Sequence, residues 1–238
     1  MKKKIVITGG TGRFGLHLFN LKTKHKLYFP KKSELNILKT ATISNYLKKI
    51  KPNILIHLAG LSRPMKEHDE NITKSIKLNI IGTANIVNIC SELDIKLIYF
   101  STNYVYPGKT GNYKETSPIF PVNKYAWSKL GGESAVQLYD NSLILRVCMT
   151  EKPFVHKKAF SNIKTSFMYH DEVASILFKI LDKKGIINIG GKSRYIYDFA
   201  KLQNPNIKKS FLVKSKKNLI PADSSMNIQK LKKILSNK

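Results

Sequence analysis

The sequence predicts an α/β protein: a Rossmann-type, doubly wound parallel sheet carrying a small C-terminal substrate lobe. Three observations predict it. Apolar strand-like runs alternate with helical patterns along most of the chain. The first run opens directly into a glycine-rich loop. The 238 residues, 42% of them hydrophobic, supply enough apolar material for a sizeable core. The runs are KIVIT (4–8), KLYF (26–29), NILIHLA (53–59), KLIYFS (96–101), SLILRV (142–147) and GIINIG (185–190). Helical patterns fall at about 12–20, 39–50, 68–92, 123–139 and 170–182. Right-handed crossovers then cover both faces of the sheet with helices.

The first strand leads into TGGTGRFG, which contains Gly9, Gly12 and Gly15 and the spacing Gly10-x-Gly12-x-x-Gly15. Glycine permits the tight turn, lets backbone approach a pyrophosphate and lets the next helix pack close, with its N-terminus facing the anion. The loop stands after an apolar strand and before the helical pattern Phe14, Leu16, Leu18 and Phe19, the context that marks a dinucleotide site. Gly9, Gly12, Arg13, Phe14 and Gly15 are therefore expected at the cofactor. The second strand ends in Phe29-Pro30-Lys31-Lys32, without the carboxylate that would hold the ribose of NAD. Cations there suit a 2′-phosphate, so Lys31, Lys32 and Arg13 favour NADP. Glu34 keeps NAD open, and a solvated lysine pair is the competing reading.

The fourth run ends at Ser101, giving a Ser-Thr step at Ser101 and Thr102, and residues 125–129 read Tyr-Ala-Trp-Ser-Lys. Spacing of four on a helix puts the Tyr125 phenol and the Lys129 ammonium on one face, where the cation stabilises phenolate. Alone, such a pair is usually a core ring beside a solvated lysine; the ordered motifs before it change that reading. Asp171 is a helix-start acid and Gly185 the stop of the same helix. Residues 148–169 have mixed polarity and no period, and read as a loop over the C-terminal edge of the sheet. Residues 204–224 read as a lysine-rich connection with Pro205 and Pro221, leading to the amphipathic MNIQKLKKIL. The expected division is a nucleotide domain over 1–147 and a small substrate lobe over 148–238, interleaved with the last sheet elements, with 171–190 packing on the nucleotide domain.

The chain has 42 basic and 15 acidic residues, a net charge of +27. Nearly all the cations are lysine, with arginine only at Arg13, Arg63, Arg146 and Arg194. Reading of base edges favours the arginine fork, and the lysines are spread along the sequence, so the charge reads as a lysine-biased composition rather than a specific nucleic-acid function. Cys90 and Cys148 lie in apolar segments without disulfide or metal-ligand spacing, as in a reducing compartment, and no metal is expected. Met1 to Lys4 resemble the start of a signal peptide, but the apolar stretch after them is too short, and no run is long enough to span a bilayer. The expectation is a cytoplasmic protein.

These motifs resemble the extended short-chain dehydrogenase/reductase family, and within it the dTDP-4-dehydrorhamnose reductase branch. The anchors, in the family's order, are TGGTGRFG (8–15), PNILIHLAG (52–60), LNIIGTANI (78–86), STNYVYPG (101–108), YKETSPIFPVNKYAWSKLGGE (113–133) and PADSSMNIQKL (221–231). The resemblance implies that Thr102 binds the substrate carbonyl, Tyr125 is the catalytic acid and Lys129 its partner. It places Ala59 and Gly60 where the cofactor passes close to the chain. Asn79 matches an asparagine associated with a structural water or proton relay, with a helix amide bonded to backbone as the equal alternative. Asn36 stands where the family commonly has an aspartate at the adenine edge, and Asn103 replaces the aspartate common after Ser-Thr. The segment Tyr169-His170-Asp171-Glu172-Val173-Ala174 matches a family segment taken as structural. The stretch between Arg146 and Asp171 is compressed, and it is there that much of the sugar-nucleotide lobe normally arises.

Hydride delivered to a ketone carbon creates an alkoxide that needs a proton. Tyr125 can supply it, Lys129 can stabilise the phenolate left behind and bond the nicotinamide ribose, and Thr102 can complete the clamp on the oxyanion. The resulting expectation is an NADP-dependent reductase of a 4-keto-6-deoxy sugar nucleotide, with NAD open and a homodimer allowed. Its alternatives are a nucleotide-binding regulatory subunit without turnover and an epimerase or dehydratase of the same superfamily.

Overall fold

The computed structural model describes residues 1–213 and 220–237. The chain opens with β1 (Lys4–Thr8), α1 (Arg13–Phe19), β2 (Lys26–Tyr28), α2 (Thr40–Ile50) and β3 (Ile54–His57). Two single-turn helices, α3 (Glu67–Glu70) and α4 (Ile72–Ser75), precede a π-helical turn over Ile76–Ile81 and then α5 (Gly82–Glu92). β4 (Lys96–Thr102), α6 (Lys124–Gln137) and β5 (Ser142–Val147) follow. Next come the short strands β6 (Met149–Thr150), β7 (Lys158–Phe160), β8 (Lys164–Thr165) and β9 (Met168–Tyr169), and then α7 (His170–Lys179) and β10 (Gly185–Ile189). β11 (Arg194–Tyr195), α8 (Ile196–Lys201), β12 (Lys208–Ser210) and α9 (Gln229–Ser236) complete the order.

Six strands form one sheet in the order β10-β5-β4-β3-β1-β2. β1 pairs in parallel with both β2 and β3, so Ile5 stands opposite Leu27 on one side and Ile54 on the other. The strand order therefore reverses at β1, and in a doubly wound sheet ligands bind outside the carboxyl ends of the strands at that switch point. Gly9 follows β1 there, and Ala59 and Gly60 follow β3. Ile5, Val6 and Ile7 are all fully buried, because helices cover both faces; this is why the run is apolar throughout rather than alternating. On one face Val6, Leu55, Leu97 and Ile144 pack with Ile43 and Leu47 of α2 and Ile86 and Cys90 of α5, pairs spaced four apart on one side of each helix. Each such side chain contributes roughly 1.5 to 3 kcal/mol by leaving water. Both cysteines are free and buried, and burial pushes the Cys148 thiol up to about 12.

By internal packing the chain divides into two compact units. The first comprises Met1–Ser101, Trp127–Leu145 and Asp182–Ile186; the second comprises Thr102–Ala126, Arg146–Leu181 and Ile187–Lys238. The division crosses the chain at several points. Thr102–Ala126 groups with the C-terminal part because its polar groups bond there: Asn103 to Ser224, Tyr106 to Asn188 and the Tyr113 amide to Ser225. The second unit has its own small core of Phe154, Ala159, Ile163, Ile196, Ala200 and Ile207.

Three expectations are corrected by the structure. The helical pattern over 68–92 is broken: the Asn71 side chain accepts from the Lys74 amide and starts a new helix, and the chain then widens into the π turn. Asparagine with a non-helical backbone is a favoured N-cap, so it interrupts the run despite the apolar spacing around it. Residues 148–169 are not a plain loop but hold β6, β7, β8 and β9. β6 pairs with β9, β8 with β11 and β7 with β12. Strands of two or three residues are too short to show a period. In the lysine-rich connection Lys208–Ser210 forms β12 beside β7, while 214–219 lie outside the described residues.

Lysine is concentrated at the amino ends of the strands in the first unit. Lys4 and Lys26 open β1 and β2 opposite one another, Lys96 opens β4, and α2 has Lys48 and Lys49 in its last turn and Lys51 capping it. The Lys4 ammonium donates to the Ile50 carbonyl at 3.2 Å, and Lys96 donates to the Lys183 carbonyl at 2.7 Å. Last-turn carbonyls favour cations, so the topology gathers lysines that are scattered in sequence. Among the described residues no helix is long and apolar enough to cross a membrane.

Candidate active site

The glycine loop is dictated by close approach. Gly9 has φ +73°, and a Cβ there would lie 2.6 Å from the Ala59 nitrogen. Gly15 packs against the Gly9 carbonyl, where any side chain would collide. The Gly12 amide donates to Gly9 O at 3.0 Å, closing the turn. α1 then starts with no side chain capping it and no carboxylate in its first turn. A helix start of that kind presents amide donors to an anion. Arg13 is exposed, whereas Phe14 is buried 5.2 Å from the Phe100 ring, so its side chain belongs to the core.

Beyond β2, Lys31 and Lys32 are both exposed. Glu34 turns its carboxylate back to accept from the Lys31 amide at 2.8 Å and closes a local turn. The Asn36 Oδ1 accepts from the Leu38 amide at 3.0 Å, so the oxygen expected at an adenine edge already serves an Asx turn.

Asn79, in the π turn, clamps the loop that follows β3. Its Oδ1 accepts from the Leu61 amide at 2.7 Å, and its Nδ2 donates to Leu61 O at 2.9 Å and to Ser128 Oγ at 2.8 Å. Gly60 must be glycine for this clamp, since a Cβ would sit 2.7 Å from Asn79 Oδ1. π turns accommodate such side chains by widening the helix locally. Of the two roles the sequence allows for Asn79, the geometry displays an amide bonded to backbone.

Behind it runs a buried chain that sequence reasoning missed. Thr8 Oγ1 and His57 Nδ1 are 2.8 Å apart, His57 Nε2 and Thr83 Oγ1 3.2 Å apart, and Thr83 donates to Asn79 O at 2.8 Å. Thr8 Oγ1 also accepts from the Ala59 amide at 3.2 Å. Burial, followed by the charge of Lys129, lowers His57 to about 3, so this imidazole is neutral. The signal was the pair Thr8 and His57, at the ends of adjacent strands in register.

In the first unit, the Lys129 ammonium lies 4.2 Å from the centre of the Tyr99 ring, and Tyr99 OH donates to Lys129 O at 3.0 Å. Desolvation lowers Lys129 to about 7, with Glu133 opposing the fall. Tyr125, which groups with the second unit, stands one turn earlier in the sequence of α6 and is half-buried. In the second unit Thr102 ends β4, is buried, and accepts from the Tyr104 amide at 3.2 Å, which starts the short 3-10 turn Asn103–Val105.

Asn103, noted as a departure from the family pattern, is a buried strut. Its Nδ2 donates to Ser224 O at 3.1 Å, Ser224 Oγ at 3.0 Å and Thr165 Oγ1 at 3.3 Å. A carboxylate could not donate these bonds. The PADSSMN segment is held by further bonds, from the Asn112 amide to Ser225 Oγ at 3.0 Å and from the Met226 amide to Ser166 Oγ at 3.0 Å. Arg146 is also buried and donates to Tyr106 OH at 2.9 Å and Glu115 O at 3.1 Å, while Tyr106 donates to Asn188 Oδ1 at 2.8 Å. Asp171 begins α7, with Lys152 3.9 Å away, and Glu172 accepts from the Tyr169 amide at 2.9 Å, in keeping with a structural segment.

A doubly wound parallel sheet, a glycine loop at its switch point and a Tyr-x-x-x-Lys helix define a protein of the short-chain dehydrogenase/reductase class. The chain belongs to the family described as the RmlD substrate binding domain, whose model matches residues 2–157. Among curated relatives, methionine adenosyltransferase 2 subunit beta of Xenopus laevis is 29% identical over 155 residues, 61% of this chain and 46% of that one. The chain therefore spans less than half the length of that subunit. The dTDP-4-dehydrorhamnose reductase of Aggregatibacter actinomycetemcomitans is 25% identical over 217 residues, 82% of this chain and 72% of that one. In fold the chain is similar to the dTDP-4-dehydrorhamnose reductase of Bacillus anthracis, solved in complex with NADP: TM-score 0.84, 24% identity, covering 98% of this chain and 91% of that one.

Proposed function

We propose that the protein is an NADP-dependent reductase of a 4-keto-6-deoxy sugar nucleotide, of the dTDP-4-dehydrorhamnose type. The observation that carries this is α6, on which Tyr125 precedes by one turn a lysine held in a dry setting over Tyr99. The loop fits a dinucleotide: Gly9 and Gly15 exclude side chains from the turn, and α1 opens with uncapped amides toward an anion. Gly9, Gly12, Gly15 and the first amides of α1 would hold the pyrophosphate. Arg13, Lys31 and Lys32 would take the 2′-phosphate, and Ala59 and Gly60 would line its path. When bound there, the nicotinamide would supply the hydride. Tyr125 donates the proton to the oxygen of the carbonyl being reduced, and Lys129 stabilises the resulting phenolate. The Thr102 hydroxyl donates to the same oxygen, which strengthens as charge develops on it.

The reading is tested with NADPH deuterated at its transferable position and a panel of keto-sugar nucleotides that includes dTDP-4-dehydrorhamnose, followed by mass spectrometry. One deuterium in a reduced product is expected; release of NADPH unchanged across the panel would refute it. A second reading, a nucleotide-binding subunit without turnover, is favoured by the frog relative's being a subunit. It requires NADPH binding with no product from any substrate.

A further inference from the structure

We propose that Glu133 is a positioning residue that holds Lys129 in its charged form; this rests on the reading of Lys129 as the partner of Tyr125. Tyr125, Lys129 and Glu133 recur every four residues on α6, along one face. The glycines before Glu133 explain its depth. A Cβ at Gly131 would lie 2.8 Å from Ile80, and one at Gly132 would meet the Asn79 carbonyl and, at 2.8 Å, Tyr99 OH. Without side chains at these positions α6 settles against the π turn and β4, and Glu133 is left fully buried.

A buried carboxylate needs partners. Ser101 Oγ donates to Glu133 Oε2 at 2.5 Å, and Gln137 Nε2 approaches Oε1 at 3.5 Å. The Ser101 bond fixes the carboxylate against the end of β4, and its charge acts on the ammonium one turn back. The other groups facing that ammonium cannot replace it. Tyr99 on β4 offers only its ring face. His57 on β3 and His68 on α3 are both lowered chiefly by burial and also feel the Lys129 charge. Burial works to discharge Lys129 and Glu133 opposes it. No part of the proposed reaction proceeds on Glu133 itself.

The test reads Lys129 directly, by carbon NMR of protein labelled at the lysine ε-carbons and titrated without ligand. A resonance titrating near neutrality and absent from Lys129→Met is expected. In Glu133→Gln it should titrate about one to two pH units lower, the effect of a unit charge one helical turn away at an effective dielectric near 20. Glu133→Asp, which keeps the charge, should restore most of the difference. An unmoved or raised midpoint in Glu133→Gln would overturn the proposal. Should Glu133→Gln not fold, Ser101→Ala decides: removing the bond that fixes the carboxylate should lower the midpoint of the same Lys129 resonance, and an unmoved midpoint would overturn the proposal equally. Turnover of dTDP-4-dehydrorhamnose by Tyr125→Phe separates the two readings. A Tyr125→Phe enzyme as active as the parent sinks the reductase mechanism but leaves a coupled Lys129–Glu133 pair standing.

Discussion

Replacing Asn79 by alanine distinguishes its two roles. The substitution removes three hydrogen bonds, two to Leu61 and one to Ser128, and both partners are buried. Leaving a buried donor or acceptor without a partner costs about 1 to 3 kcal/mol. With some repair by water, a total loss of roughly 2 to 5 kcal/mol is expected. For a chain of this size each kcal/mol lowers the melting temperature by about 2 to 4 °C, so a fall of roughly 5 to 15 °C should be seen by calorimetry. Asn79→Asp keeps an acceptor for the Leu61 amide but cannot donate, and should not rescue. NADPH affinity should weaken together with stability, because the clamp holds Gly60 and Leu61 beside the switch point. A variant that melts within about 2 °C of the parent while losing turnover would refute the clamp and restore the relay.

The buried His57 sets an acid limit. Its folded value of about 3 lies below the ordinary 6.5, so below pH 6.5 the unfolded chain binds more protons. Stability should thus be lost as pH falls from about 6.5 towards 3, by on the order of 4 kcal/mol in all. Urea titrations should show that slope weakened in His57→Gln; an identical slope would place the acid sensitivity elsewhere. Tyr125→Phe should lower the chemical rate by roughly two or more orders of magnitude with NADPH affinity nearly intact, as single-turnover kinetics would show. The double change Lys31→Ala with Lys32→Ala should weaken NADPH about tenfold more than NADH. Equal weakening of both would assign the lysines a general field and not a phosphate contact.

Much of the architecture was legible locally. The runs ending at Thr8, Thr102 and Val147 are apolar because helices cover both faces of the sheet, and that requirement is written in every residue of a central strand. The glycines at 9, 12 and 15 were readable because backbone contact excludes side chains whatever the rest of the protein does. Roles that depend on distant partners were not. Asn79 and Asn103 carry the same amide, and nothing near either in sequence announces Leu61 or Ser224 as its partner. The short strands between Met149 and Tyr169 have no period of their own and exist only through their pairings, two of them with residues 194–195 and 208–210. Glu133 looks like a solvated helix acid until Gly131 and Gly132 bring α6 down on the π turn. The order of elements and the glycine loop could be read from residue types, since they rest on contacts near in the chain or on burial alone. Which polar groups are buried together emerges with long-range packing, because their hydrogen bonds join residues that chain proximity does not connect.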